Sequence, residues 1–187
     1  MLATIDTFLA QSLAGSTQTP TLIIWFGIFC AKGLLYFIPL HLLLLWFAGG
    51  KFERRAALTI VASIIIGLFI SHLIGLVFYR ERPFVAGIVE ALIHHSPNAS
   101  FPSNHATICA AYFFSLYLLR YKMAAKFALG LLVLVCWGRI FVGVHYPFDI
   151  FAGIILGGLS AYGCTRFVLP KIPAIFIAFP AQKLSEK

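Results

Sequence analysis

Apolar residues run along this chain in long blocks separated by short polar connections, and the blocks have the length of helices rather than strands. Gly33 to Gly50 carries no charge, with Lys32 interrupting what precedes it. Ala56 to Tyr79 also carries no formal charge, and His72 is its only group titrating near neutral pH. Further blocks begin near Asn104 and end before Arg120, run from about Ala124 to Val142, and run from about Phe148 to Leu169. A helix needs about 20 mainly apolar residues to cross hydrocarbon. The pattern therefore predicts an all-α polytopic transmembrane bundle of about five spans, or six if 20–49 divides into an interfacial helix and a span. The block after Asn104 is short for a span. The first ten residues lack a basic leader and predict a short interfacial helix rather than a signal peptide. With no internal repeat, low-complexity tract or soluble second domain in view, residues 1–187 are expected to form one integral-membrane domain.

Composition strengthens this picture. Of 187 residues, 61% are hydrophobic and 11% charged, against roughly 25% charged in soluble domains, and the mean hydropathy is +0.96. A net charge of +8 raises nucleic acid as a partner. That charge is scattered through connections between apolar blocks, where it sets topology and meets anionic headgroups, so no nucleic-acid partner is expected. Cys30, Cys109, Cys136 and Cys164 are dispersed through apolar blocks without metal-ligand spacing and read as packed hydrophobes.

Charge also orients the chain. Lys51, Arg54 and Arg55, then Arg120, Lys122 and Lys126, then Arg166, Lys171, Lys183 and Lys187 fall on one side of alternating spans. The positive-inside rule makes that side cytoplasmic. The 80–103 loop and the 143–147 turn then face outward, while Arg80, Arg82 and Arg139 oppose the rule and call for a chemical reason. The tail 171–187, broken by Pro173 and Pro180, is expected to be cytoplasmic and partly interfacial.

Three clusters meet on the outward side: Arg82-Pro83, the run Ser100-Phe-Pro-Ser103-Asn104-His105, and Arg139 to Asp149 with its R-x5-H-x3-D spacing. Arginine presents a planar fork of donors that matches phosphate oxygens, so Arg82 and Arg139 suit a phosphoryl clamp. Backbone amides around Ser103 and Asn104, at the start of a helix, are natural anion donors. Four residues apart, His145 and Asp149 meet on one helical turn, the carboxylate orienting the imidazole. His145 then serves as nucleophile and His105 as the acid for the leaving oxygen and the base for water. With arginines and amides already facing the negative charge, no metal or other cofactor is expected.

These residues resemble the signature of the type-2 phosphatidic-acid phosphatase family, K-x6-R-P, P-S-G-H and S-R-x5-H-x3-D. Arg82-Pro83 matches the end of the first block. Pro102-Ser103-Asn104-His105 matches the second with Asn for Gly, and Arg139, His145 and Asp149 match the third with Gly138 for Ser. The first-block lysine falls on Gly75, and Arg80 is a candidate substitute. Within the family, the wording around Arg82 and from Ser100 to Thr107 looks most like the bacitracin-resistance type of undecaprenyl-diphosphatase. The resemblance implies a metal-independent phosphatase acting through a phosphohistidine. Its implied substrate is a polyprenyl diphosphate, cleaved on the outer face of the bacterial inner membrane to recycle the carrier for cell-wall synthesis.

Two other readings share these residues. The same chemistry fits phosphatidylglycerophosphate, phosphatidic acid or lipid A, and a small anion transporter uses arginines too. Transporters place their sites near the midplane on broken helices, whereas these clusters lie at span ends. Elsewhere, His72 and His41 read as histidines bonded within the bundle. His94 and His95 either touch a headgroup or are solvated, and Glu81 and Glu90 read as salt-bridge partners in the loop. The GxxxG spacing of Gly153 and Gly157 reads as internal packing.

Overall fold

The computed structural model describes residues 2–172, and among these all regular structure is helical. Six helices appear: α1 (Leu2–Leu13), α2 (Thr21–Phe47), α3 (Lys51–Val77), α4 (Asn104–Leu118), α5 (Lys122–Phe141) and α6 (Pro147–Lys171). Four of them, α2, α3, α5 and α6, are long and apolar enough to cross a bilayer. The tail expected beyond 172 lies outside the described residues.

Segment 20–49 forms one run of helical turns rather than two helices. Its winding changes midway, through a π-turn over Phe29–Gly33 and a 3-10 turn over Leu34–Tyr36. Pro39 explains the change, because proline lacks the amide that would bond Leu35 and its ring presses on that carbonyl. The turns just before it rewind to compensate.

Helix α3 buries a stripe of mostly small residues, Ala56, Ile60, Ser63, Gly67 and Ser71, at helical spacing. Its other faces carry exposed Ile65, Phe69, Leu73 and Leu76. Such faces are unfavourable in water and natural in hydrocarbon, and the protein is a membrane protein. At its start the Gly50 amide donates to Glu53 Oε2 at 2.9 Å, satisfying one orphan donor.

Helix α4 explains why the third apolar block is short. At 15 residues it sits against α3, α5 and α6 and buries Ala106, Thr107, Cys109, Ala110, Ala111 and Ser115. A helix wrapped by protein need not match the hydrocarbon thickness. Close approach comes from α6, where a Cβ on Gly153 or Gly157 would collide with the Ser103 or Thr107 carbonyl of α4. The GxxxG spacing thus packs internally. All four cysteines are buried and free, as expected.

The N-terminal helix departs from a simple interfacial role. Asp6 on α1 is 1% exposed, pairs with Arg80 at 2.7 Å and accepts the Phe148 amide at 2.9 Å. Helix α1 is therefore docked onto the loop and onto the start of α6, with Ile5 and Phe8 left on its outer side.

Candidate active site

The three sequence clusters converge where α4 and α6 begin and α5 ends. Helix α5 stops at Phe141, and the chain turns through Gly143, whose φ of +80° favours glycine. A side chain there would also strike the Glu90 carbonyl of the loop. Pro147 then opens α6 at the first helical position, where its missing amide costs nothing. His145 thus lies just outside the helix, and Asp149 is its third residue. The pair was expected to share a helical turn; it meets instead through the cap, since Asp149 Oδ2 accepts the Tyr146 amide at 2.9 Å.

His145 is buried, with Nδ1 facing Asp149 Oδ2 at 3.6 Å and Ser100 Oγ at 3.4 Å. Ser100 gives its only proton to Asp149 Oδ2 at 2.5 Å, so toward His145 its oxygen can only accept. Nδ1 therefore carries the ring proton, and Nε2 keeps its lone pair. Nε2 lies 3.2 Å from Arg82 Nη1. Burial, aided by the charges of Arg139 and Arg82, lowers the His145 pKa to about 4 against the opposing pull of Asp149. The imidazole is neutral in the physiological range, the form a nucleophile needs.

Arg82 is held from several sides. Nε and Nη2 donate to Asn98 Oδ1 at 3.1 and 2.8 Å, Nη2 to the Ala99 carbonyl at 3.1 Å, and Nη1 to the Val144 carbonyl at 2.8 Å. Burial lowers its pKa to about 10, leaving it cationic at neutral pH. Arg139 contrasts with it. This side chain is 1% exposed, yet its Nε and Nη2 find no acceptor among the described residues. A buried guanidinium with idle donors is configured for an anionic ligand.

His105, in the first turn of α4, is an electrostatic neighbour of Arg139, His145, His95 and Arg82. Ser103 caps that helix, its Oγ accepting the Ala106 amide at 3.5 Å, and its own amide donates to the Asp149 carbonyl at 3.0 Å. The amides of Asn104 and His105 have no intrahelical partner by helix geometry. The Asn104 side chain turns toward α3, accepting from Ser71 Oγ at 2.6 Å.

Arg80, the candidate substitute for the phosphate contact, faces two carboxylates. Its Nη1 donates to Asp149 at 2.9 Å and its Nη2 to Asp6 at 2.7 Å, and its guanidinium stacks 3.7 Å over the Tyr146 ring. Its position behind Asp149 makes it a brace for the carboxylate. Asp6 and Asn98 were not singled out from sequence, and Ser100, which opens the second cluster, was given no role there. Ser100 and Asn98 carried a faint signal as polar residues in a long loop, whereas Asp6 had none. Glu90 accepts the Thr17 amide at 3.0 Å rather than pairing with an arginine. His41 is bonded to the Tyr112 hydroxyl at 2.6 Å, whereas His72 is exposed and lines a cleft with Gly75 and Asn104.

Fold and site together define a polytopic α-helical membrane protein with a buried imidazole beside an arginine and an aspartate. A profile of the PAP2 superfamily matches residues 56–173, and the chain belongs to that superfamily. The protein named undecaprenyl-diphosphatase BcrC from Bacillus subtilis (strain 168) is 36% identical over 129 residues, which cover 68% of this chain and 66% of the relative. YbjG of Escherichia coli (strain K12) is 29% identical over 157 residues, covering 84% and 79%. Among solved structures, the transmembrane PAP2-type phosphatidylglycerolphosphate phosphatase from Bacillus subtilis has a TM-score of 0.69 at 21% identity. That match covers 92% of this chain and 88% of the other, and it is a likeness of fold.

Proposed function

We propose that this protein hydrolyses undecaprenyl diphosphate to undecaprenyl phosphate and orthophosphate. The observation that carries this reading is the neutral, buried His145, with its Nε2 lone pair beside Arg82 and its Nδ1 proton directed at Asp149 and Ser100. The name of the Bacillus subtilis relative supports the lipid assigned.

In the first step the Nε2 lone pair attacks the terminal phosphorus. The bond from phosphorus to the bridging oxygen breaks, and His105, protonated once the negative charge of the bound diphosphate offsets the neighbouring arginines, delivers that proton to the oxygen as the lipid monophosphate leaves. In the second step water attacks the phosphohistidine while His105 takes its proton. The P–N bond breaks, orthophosphate departs and His145 is neutral again. The Arg82 Nη1 proton now directed at Nε2 turns to a non-bridging oxygen as that lone pair attacks, and the idle donors of Arg139 hold the remaining oxygens through both steps. Positioning and charge stabilisation supply most of the catalysis in phosphoryl transfer, which is why this reading needs no metal.

The site is assigned to the outer face of the bacterial inner membrane, and residues 1–187 to one catalytic unit serving carrier recycling in cell-wall synthesis. The charge bias of the connections supports that orientation. Purified protein in detergent with EDTA, offered polyprenyl diphosphate and phosphatidic acid in parallel, tests the reading. Phosphate release from the diphosphate is expected, with the second lipid turned over more slowly. Release from phosphatidic acid alone reassigns the substrate, and no release from either removes the enzymatic reading.

A further inference from the structure

The signature that this chain otherwise matches calls for a cation at position 75, where it has Gly75. Arg80 is committed to Asp6 and Asp149. Another cation stands at the level of the site, on a different helix. Lys32 belongs to the π-turn of α2, and that turn is drawn tightly onto α5 at Gly138. A Cβ at 138 would come within 2.7 Å of the Ala31 amide nitrogen and 3.0 Å of the Cys30 carbonyl carbon. Gly138 directly precedes Arg139, and Lys32 directly follows Ala31. Two of the three departures from the signature, Gly for Ser and Gly for Lys, are thereby linked. The first admits the turn that brings in a cation from elsewhere.

Lys32 and His105 line the same cavity, of about 490 Å³, between α2, α3 and α4. Its other walls are apolar, among them Leu35, Val61, Ile65 and Ile108. His105 thus stands both among the site charges and on the wall of this cavity, so the cavity begins where the leaving group departs.

The geometry points to Lys32 as the residue that grips the lipid-side phosphate of a diphosphate, letting the site tell a diphosphate from a monophosphate. This rests on the reading above, in which His145 attacks the terminal phosphorus and His105 serves the bridging oxygen. The leaving group then carries its own phosphate past His105 into a cavity with one ammonium at its head and hydrocarbon along its length. An ammonium is a compact point charge suited to phosphate. A lysine within a spanning helix is costly and marks function by default. His95 in the loop records the same convergence, since its pKa is lowered by burial first and then by Arg82, Arg139 and Lys32.

Ligand-dependent thermal unfolding in detergent tests this without turnover, using orthophosphate and the non-hydrolysable methylenediphosphonate. The natural chain should bind the diphosphonate more tightly, by about tenfold or more, a difference of the size one charge contact supplies. Lys32→Met and Lys32→Gln should bring that ratio close to one, and Lys32→Arg should retain most of it. Gly138→Ala, which displaces the turn without altering its charge, should narrow the ratio and covers the case in which neither neutral variant folds. An unchanged ratio in the neutral variants, or no preference in the natural chain, overturns the assignment. Failure of the natural chain to release phosphate from polyprenyl diphosphate would sink the substrate reading instead, and the binding ratio would still judge Lys32.

Discussion

Two buried arginines with the same expected task are held in opposite ways, and the difference can be measured. Arg82 satisfies Asn98, Ala99 and Val144, so Arg82→Met strands buried acceptors. It should abolish activity and also destabilise the fold by about 1–3 kcal/mol. Arg139 has idle donors, and removing an uncompensated buried charge relieves its desolvation. Arg139→Met should be as inactive, yet unfold in detergent at the same temperature or higher, by an amount on the order of 1–4 kcal/mol. A matching loss of stability in both would mean that Arg139 has structural partners. As the proposed nucleophile, His145 sets the expected pH response. Its active form is the neutral one, present above its pKa and lost below it. With that pKa lowered to about 4 by burial and by Arg139 and Arg82, the acid limb of kcat/KM should lie well below the ordinary histidine range. Asp149→Asn removes a pull that raises this pKa, so the limb should move lower still. Loss of tautomer control should also cut kcat, on the order of ten-thousandfold. An acid limb near the ordinary histidine value would contradict the buried, neutral nucleophile.

At the scale of elements, the apolar blocks predicted the helices well, because hydrocarbon demands length and continuity that show directly in sequence. Missing from that pattern were the contacts between helices. Helix α4 looked short for a span, and it is short because α3, α5 and α6 enclose it. Its closest neighbour is α6, held there by Gly153 and Gly157 against the Ser103 and Thr107 carbonyls. Gly157→Leu should therefore force the helices apart and cost about 1–3 kcal/mol, read as a lower unfolding temperature in detergent. Gly163, with open space around its Cβ position, is the control: Gly163→Ala should be neutral or slightly stabilising. A dimerisation role for the GxxxG face would instead change the oligomeric state of Gly157→Leu and leave monomer stability alone.

For the whole molecule, orientation is the prediction that decides the biology. All four natural cysteines are buried, so single added thiols report cleanly. Ala86→Cys in the exposed loop should react with an impermeant maleimide in intact cells, and Lys122→Cys only after permeabilisation. The reverse pattern would put the site on the cytoplasmic side. The sequence by itself determined what local spacing and solvent can dictate: apolar length, charge side, and the motif residues His105, His145, Asp149, Arg82 and Arg139. Tertiary structure alone decided which of the remaining polar groups serve them. Asp6 and Arg80 are far apart in the chain, yet their ion pair braces Asp149, so a cation that looked like a phosphate ligand is spent on a carboxylate. Lys32 looked like an interruption in a span until the π-turn and Gly138 set it beside the site. Both outcomes depend on which helices touch, and that follows from small-residue packing and buried charge pairing across the bundle, neither of which leaves a periodic trace along the chain.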